Sequence, residues 1–251
     1  MQVASTATVA DAEGETARLV ERFAVDHAGK DAASLVRASI DQFGERLAVV
    51  SSFGAESAVL LHLVAAADPT IPVVFIDTRR HFEETLAYRD RLIAHLGLTE
   101  VRVVGPNPLR VLNEDPEQDL FGRDPDRCCR MRKSEPLLRA LRPFDAWISG
   151  RKRHQTESRA NVPFAEADGR HLKVNPLAAW GKEDLDAYMQ THRLPAHPLV
   201  ALGFPSIGCY SCTSRVGVGE DPRSGRWRGR GKTECGIHLG LGELLIDGGG
   251  I

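Results

Sequence analysis

Residues 47–57 read LAVVSSFGAES, an apolar run that passes into a loop of small and polar residues. LAVVSS (47–52) predicts a short buried strand, and the residues from Glu56 to Ala67 predict a helix. Gly54 is expected to permit a tight turn between them. Backbone amides in such a turn, together with the helix N-terminus, form an anion site. An ordinary strand-to-helix turn with a serine cap explains the same spacing equally well.

The same alternation continues on both sides of this stretch and favours an α/β fold: a parallel sheet covered by helices on both faces. Further strands are predicted over residues 71–77, 100–105, 145–150 and 171–178, and helices over 15–43, 82–96, 126–141 and 182–192. Residues 106–122 are interpreted as a linker. We expect a helical region over 1–44, an α/β nucleotide-binding domain over 45–204, and a mobile C-terminal segment over 205–251.

Composition excludes several classes of protein. The chain has 251 residues, 42% of them hydrophobic, with a formal net charge of -2. This balance gives no reason to expect a nucleic-acid partner, and no apolar stretch approaches the roughly 20 residues of a membrane span. The first twenty residues lack the features of a signal peptide, so we expect a cytoplasmic protein. A homo-oligomer is compatible with the sequence.

Two further motifs follow predicted strands, at the edge where open α/β sheets bind ligands. In FIDTRRHFEET (75–85), Asp77 and Thr78 offer hydrogen-bonding groups. In GRKRHQTESRA (150–160), Arg151 and Lys152 belong to a cluster of cations suited to phosphate or sulfate. A capped helix start and a solvated basic loop are the alternative interpretations.

Four of the five cysteines form pairs: Cys128 with Cys129, and Cys209 with Cys212 in a CxxC spacing. Four thiolates favour zinc or an iron–sulfur cluster. Neighbouring residues on a helix point about 100° apart, so the adjacent pair suits different irons of a [4Fe-4S] cluster better than one zinc ion. The alternatives are a zinc site that staples the C-terminal segment, or a redox pair at 209 and 212.

The fifth cysteine, Cys235, follows a run of five cations within residues 223–232. Positive charge lowers the pKa of a thiol and raises its thiolate fraction. Glycines in the same run suggest a mobile basic arm that brings the thiolate to an anion. His238 is a candidate for tuning the thiol. The alternative is an exposed cysteine on a disordered tail.

Taken together, the motifs resemble the bacterial adenylylsulfate reductases of the APS/PAPS reductase family, in the PP-loop adenine nucleotide α-hydrolase superfamily. The resemblance covers about residues 45–240 and is carried, in order, by SSFGAES, FIDT, CCRMRK, GRKRHQTESRA, GCYSC and KTECGIHLG. One position departs from it: the family commonly has glycine where this chain has Arg79, and arginine takes a positive φ less readily.

The resemblance implies the roles of individual residues. Cys128, Cys129, Cys209 and Cys212 match ligands of a [4Fe-4S] cluster, Cys235 matches the nucleophile, and Lys133 matches a lysine near the cluster and substrate. Expected contacts with the substrate nucleotide are Ser51, Ser52, Phe53, Gly54, Glu56, Ser57, Asp77, Thr78, Arg151, Lys152, Arg228 and Arg230.

The implied reaction is reduction of adenosine 5′-phosphosulfate (APS) to sulfite and AMP, with the 3′-phosphorylated analogue (PAPS) as a possible second substrate. Cys235 would form an S-sulfocysteine, and thioredoxin or glutaredoxin would then resolve it. Two rival hypotheses remain open. One is a PP-loop enzyme that consumes ATP and transfers sulfur to tRNA, and the other is a nucleotide-binding redox sensor without turnover.

Overall fold

A computed structural model describes residues 9–232 and 234–238, with side chains from residue 14 onward. The strands are β1 (Leu47–Val50), β2 (Val73–Ile76), β3 (Val101–Val104), β4 (Ala146–Ser149), β5 (Ala165–Asp168) and β6 (His171–Val174). The helices are α1 (Val9–Asp26), α2 (Ala32–Phe43), α3 (Ser57–Ala67), α4 (Glu83–Leu96), α5 (Pro108–Glu114), α6 (Leu120–Arg123), α7 (Pro125–Cys129), α8 (Glu135–Leu141), α9 (Lys182–Thr191) and α10 (Pro198–Ala201).

The strands form one sheet in the order β3-β2-β1-β4-β6-β5. All neighbouring strands are parallel except β5, which pairs antiparallel with β6. The predicted parallel sheet is therefore confirmed. Strand β5 was not predicted, because its sequence AEAD is only four residues long and consists of residue types that are depleted in strands.

Both faces of the central strands β1, β2 and β4 are buried, as their continuous apolar runs predicted, whereas the edge strand β3 is partly exposed. Leu47 and Val49 of β1 face a large core that includes helices α1, α2, α3 and α9. Ala48, between them, faces a smaller core that includes Leu137 and Leu141 of α8. Since successive strand residues point to opposite faces, a single strand contributes to both cores.

Two sequence interpretations are corrected by the helices. The helix predicted over 15–43 is divided into α1 and α2, because Asp31 caps a new helix by accepting a hydrogen bond from the Ser34 amide (2.7 Å). The linker predicted over 106–122 contains α5 and α6. Helix α5 begins with Pro108 and is capped by Asn107, which accepts from the Leu109 amide at 3.0 Å. The many prolines and acidic residues of this stretch hide that start signal.

The helix predicted over 126–141 is interrupted. Between α7 and α8 the chain forms one π-helical turn, Arg130–Ser134. Pro136 lies in the first turn of α8, and a proline has no N–H to donate to the preceding turn. Such a widened turn is common at functional sites. Here it follows the paired cysteines directly.

Strand β1 lies at the centre of the sheet, with β2 and β3 to one side and β4 to the other. The order in which successive strands are added to the sheet therefore reverses between β1 and β4, and a crevice is expected beyond the carboxyl ends of these two strands. The loops that enter it are 51–56 and 150–152. None of the helices within the described residues combines the length and apolar character needed to cross a bilayer.

Candidate active site

A cleft of about 350 Å³ opens at the predicted crevice. It brings together most of the predicted site residues: Ser51, Ser52, Gly54, Glu56, Ser57, Thr78, Lys133, Arg151, Lys152, Cys209 and Cys235. Segments that are distant in the sequence thus meet at one edge of the sheet. The arrangement agrees with the expectation that the loops after β1, β2 and β4 converge.

The loop after β1 makes its tight turn at Phe53, not at Gly54. Phe53 has a φ of +49°, and its amide donates to the Ser51 hydroxyl at 3.2 Å. Its side chain is fully buried and packs edge-on against Phe75, with ring centroids 5.6 Å apart. Phe53 therefore anchors the loop in the core, and the turn predicted at Gly54 was placed one residue too late.

The loop after β2 has a left-handed residue at Arg79, the position at which the resemblance led us to expect glycine. Arg79 has a φ of +57°, and its amide donates to Asp77 Oδ1 at 2.8 Å. Asp77 thus closes a local turn and does not line the cleft. Thr78 does line it, and its hydroxyl lies 3.3 Å from Cys209 Sγ.

The loop after β4 is held by internal ion pairs. Lys152 lies 2.9 Å from Glu56 of the first loop, and Arg151 lies 2.6 Å from Glu166 on β5. Burial lowers the pKa of Lys152, against the effect of Glu56. Burial acts to raise the pKa of Glu56, but the Lys152 cation and the hydrogen bond from Gln155 outweigh burial and lower this pKa. Arg151 and Lys152 are thus held in the wall of the cleft by ion pairs within the protein. Hydrogen bonds to a ligand in the cleft are left to other donors.

Cys235 lies in the cleft beside a lysine. The Lys133 ammonium is 3.6 Å from Cys235 Sγ. The pKa of the Cys235 thiol is well below its ordinary value, because the Cys129 thiol hydrogen-bonds to it and the Lys133 and Arg226 cations favour the thiolate, against burial. Burial opposes the Lys133 charge, but negative charge on the neighbouring cysteine sulfurs, foremost Cys209 and Cys235, outweighs it and raises the pKa of Lys133. The site can hold a thiolate at the cleft wall.

The four cysteines predicted as cluster ligands lie on two neighbouring segments. All are free, and Cys128, Cys129 and Cys209 are buried. Burial raises the pKa of Cys128; Arg132 opposes this, while nearby Cys209 and Cys212 add to it. Within residues 9–232 and 234–238, no group of three or more potential ligands is placed to hold a metal. Four free thiols on two adjoining segments nevertheless fit the ligand chemistry of an iron–sulfur cluster.

A buried charge network supports the cysteine-bearing helices. Asp115 is fully buried and lies 2.7 Å from Arg132 Nη2 and 3.6 Å from Arg80 Nη2. Arg132 also donates to the Thr78 carbonyl at 3.2 Å, and the Arg80 carbonyl accepts from the Tyr210 amide at 2.8 Å. The network therefore joins the loop after β2, the π turn and the CxxC segment.

Two arginines of the C-terminal segment do not reach the cleft as predicted. Arg228 lies 2.6 Å from Glu220 on the surface. Arg230 donates to the Phe121 carbonyl at 2.7 Å and contacts Cys212 Sγ at 3.6 Å. Both are directed away because the chain turns at Trp227, which has a φ of +50° and is buried.

Arg223 and Arg226 line the cleft in place of Arg228 and Arg230, together with Trp227. The guanidinium of Arg226 lies over the Trp227 ring, 4.5 Å from its centroid. Among the described residues, the Nε groups of both arginines are buried without a hydrogen-bond partner, so each retains a donor for an anion. Both cations belong to the run that precedes Cys235, but nothing in a Gly/Arg-rich run indicates which of its cations face inward.

The remaining predicted residue, His238, is half-buried at the end of the 3-10 turn Gly236–His238 and lies outside the cleft lining. The C-terminal segment predicted over 205–251 is described as far as His238, apart from Thr233. Its mobility stays a prediction. In the structure the described part is docked on the cleft.

Comparisons with known proteins identify the family of the chain. Residues 46–215 match the phosphoadenosine phosphosulfate reductase domain. The chain is 51% identical over 212 residues to an adenosine 5′-phosphosulfate reductase of Mesorhizobium japonicum, with 84% of each chain covered. It is 50% identical over 239 residues to one of a Chelativorans species, with 94% of this chain and 96% of the relative covered.

The crystal structure of a phosphoadenylyl-sulfate (PAPS) reductase from Candida auris has the same fold, with a TM-score of 0.64 at 21% identity. It covers 85% of this chain and 100% of that one. At this identity the likeness concerns the fold alone. The sequence match over most of the α/β domain shows that the chain belongs to the phosphoadenosine phosphosulfate reductase family.

Proposed function

We propose that this chain reduces adenosine 5′-phosphosulfate to sulfite and AMP, with Cys235 as the nucleophile. The observation that carries the proposal is the position of Cys235 Sγ, 3.6 Å from the Lys133 ammonium in a cleft shared with loop 51–57. The names of the two relatives at 50% and 51% identity support the choice of substrate.

In the first step the Cys235 thiolate attacks the sulfur of the substrate. A sulfur–sulfur bond forms, the bond between sulfur and the bridging oxygen breaks, and AMP leaves with that electron pair. Lys133, Arg223 and Arg226 are the cations available to the charge that develops on the sulfate and phosphate oxygens. The product on the enzyme is an S-sulfocysteine, so no reductant is consumed up to this point.

In the second step a thiolate of an external dithiol protein, thioredoxin or glutaredoxin, attacks Cys235 Sγ. Sulfite leaves with the electron pair of the sulfur–sulfur bond, and a mixed disulfide remains. The second thiol of the partner then reduces that disulfide and regenerates the Cys235 thiol. The two electrons that convert sulfate to sulfite thus come from the partner. An external partner is required because the other four cysteines are assigned to a cluster.

Cys128, Cys129, Cys209 and Cys212 are the residues that would hold a [4Fe-4S] cluster. A bound cluster supplies charge near Lys133 without having to change its oxidation state. Protein purified without oxygen is expected to be brown and to contain about four irons per chain. Zinc without iron would contradict this assignment, and so would four irons in a variant with serine at both 209 and 212.

Turnover tests the function directly. With thioredoxin, its reductase and NADPH, APS should yield equal amounts of sulfite and AMP, and Cys235→Ser should yield neither. The same assay with PAPS measures how far the enzyme accepts the 3′-phosphate. AMP formation that requires ATP, or sulfite formation by Cys235→Ser at the parental rate, would refute the proposal.

A further inference from the structure

One buried ion pair joins the C-terminal segment to the α/β domain across the cleft. Arg159 Nε lies 2.5 Å from Glu234 Oε2, and Arg159 Nη2 donates to Glu234 Oε1 at 2.7 Å. Both side chains are at most 10% exposed. A bidentate pair of this kind fixes the direction of the carboxylate as well as its distance.

The carboxylate of Glu234 also sets the backbone of the next residue. Its Oε1 accepts a hydrogen bond from the Cys235 amide at 2.8 Å. Cys235 Sγ then lies 3.6 Å from Lys133 Nζ. The pair therefore determines where the chain carries the nucleophile, although neither side chain hydrogen-bonds to the sulfur atom.

Each of the three guanidinium nitrogens of Arg159 donates a hydrogen bond within the protein. Its third nitrogen group, Nη1, donates to Gln155 Oε1, while Nε and Nη2 bind Glu234. Arg226 differs, because its Nε is buried and has no partner among the described residues. Arg223 shares both features, since its Nη2 lies 3.9 Å from Glu234 Oε1 while its Nε has no partner among the described residues. Although Arg159 lines the cleft, its geometry is that of an anchor for Glu234, whereas the other two retain capacity for substrate.

Hydrogen bonds connect Arg159 to the loop after β1. Gln155 Nε2 donates to Glu56 Oε2 at 3.1 Å, and Lys152 Nζ donates to the same oxygen at 2.9 Å. Glu56 belongs to the predicted nucleotide loop. A continuous set of polar contacts thus leads from that loop through Gln155 and Arg159 to Glu234 and the Cys235 amide.

We infer that Glu234 is a positioning residue for the first step of the reaction and that Arg159 is its anchor. The inference rests on the proposed function. It further requires that the pair separates before the second step, because a dithiol protein has to reach a sulfur atom that faces Lys133 and Cys129 inside the cleft. The pair thus favours S-sulfocysteine formation and is not needed for its resolution.

The two half-reactions separate this role from a general structural one. Glu234→Gln keeps the size of the side chain and removes its charge. In a single turnover with APS and no reductant, we expect Cys235 to be sulfonated about a hundredfold more slowly, as misplacement by about an ångström can cause. Release of sulfite from preformed S-sulfocysteine by dithiothreitol should not be slowed. Sulfonation at the parental rate, or equal slowing of both steps, would overturn the inference.

Glu220→Gln is the matched control. Glu220 lies on the same segment and pairs with Arg228 at 2.6 Å, but both side chains are more than 40% exposed. Exposed pairs contribute little, so this variant should sulfonate at the parental rate. If it slows as Glu234→Gln does, the effect is not specific to the buried anchor, and the inference is overturned.

Hydrogen–deuterium exchange tests the anchor without substrate and so independently of the proposed function. Glu234→Gln should lose amide protection in peptides that contain Cys235, while peptides from β1 and β4 exchange as in the parent. Unchanged exchange around Cys235 would overturn the inference. Failure of the parental protein to form S-sulfocysteine would instead refute the proposed function.

Discussion

Replacing Asp115 by asparagine tests the charge network beneath the cysteine-bearing helices. Asp115 is fully buried and is paired with Arg132 at 2.7 Å and with Arg80 at 3.6 Å. Its Oδ1 also accepts from the Leu120 amide at 2.8 Å. Asparagine preserves this last bond with its carbonyl oxygen, but it then turns its amide N–H groups toward Arg132.

The variant leaves two buried guanidinium groups without a counter-charge. Removing one partner of a buried ion pair destabilises a protein by about 3–5 kcal/mol. Because one hydrogen bond survives in Asp115→Asn, we expect a loss of about 3 kcal/mol in the free energy of unfolding. Urea denaturation with linear extrapolation measures this difference.

Asp119→Asn is the control for the same loop. Asp119 pairs with Arg123, and both side chains are more than 50% exposed. An exposed pair contributes about 0–1 kcal/mol, so this variant should unfold close to the parent. If Asp115→Asn also unfolds within about 1 kcal/mol of the parent, well short of the cost of a broken buried pair, the network does not support these helices as described.

Three further predictions concern single residues. Arg79 has a φ of +57°, so Arg79→Gly should be more stable than Arg79→Ala by about 1 kcal/mol in urea denaturation; equal stabilities would contradict strain there. Burial lowers the pKa of His197 to about 4. Between about pH 6.5 and pH 4, the unfolded chain therefore binds a proton at this residue and the native chain does not. The free energy of unfolding then falls by up to about 3 kcal/mol as the pH is lowered through this window. His197→Asn should flatten this dependence in urea titrations, and an unchanged slope would refute the assignment. A Cβ at Gly208 would lie 2.3 Å from Arg226 Nη2. Gly208→Ala should therefore displace that guanidinium and weaken AMP binding by about tenfold in calorimetry, the loss of about one charge-assisted hydrogen bond; Gly122→Ala, where a Cβ meets open space, should not.

The sequence predicts the centre of the fold well because its strands are continuous apolar runs. The predicted strands over 47–52, 71–77 and 145–150 contain β1, β2 and β4. Their carboxyl ends place the three loops that line the cleft at one edge by topology alone. Strand β5 is different, since it is a short polar edge strand that is defined by pairing with β6 and by the turn at Gly169, where φ is +60°.

The candidate site divides in a similar way. Cys235 and Lys133 are identified by their place in motifs, and the structure brings them within 3.6 Å. In the Gly/Arg-rich run 223–232, no periodicity tells which cations face the cleft. The turn at Trp227 decides this, directing Arg226 inward and Arg228 to the surface. Such a turn depends on tertiary packing and leaves no local pattern in the sequence.

The role of Glu234 was hidden for a related reason. Beside five cations it has the sequence pattern of a solvated counter-charge. Only the fold shows that its partner is Arg159, 75 positions earlier in the chain. Long-range pairs of this kind follow from topology and cannot be obtained from spacing.

The most direct test of the central claim follows the mass of Cys235 after rapid mixing with APS in the absence of any reductant. The peptide containing Cys235 should gain the mass of one SO₃ group, at the same rate and in the same amount as AMP appears, and the peptide of Cys235→Ser should gain none. Release of AMP with an unmodified Cys235, or modification of another cysteine in its place, would show that Cys235 is not the nucleophile.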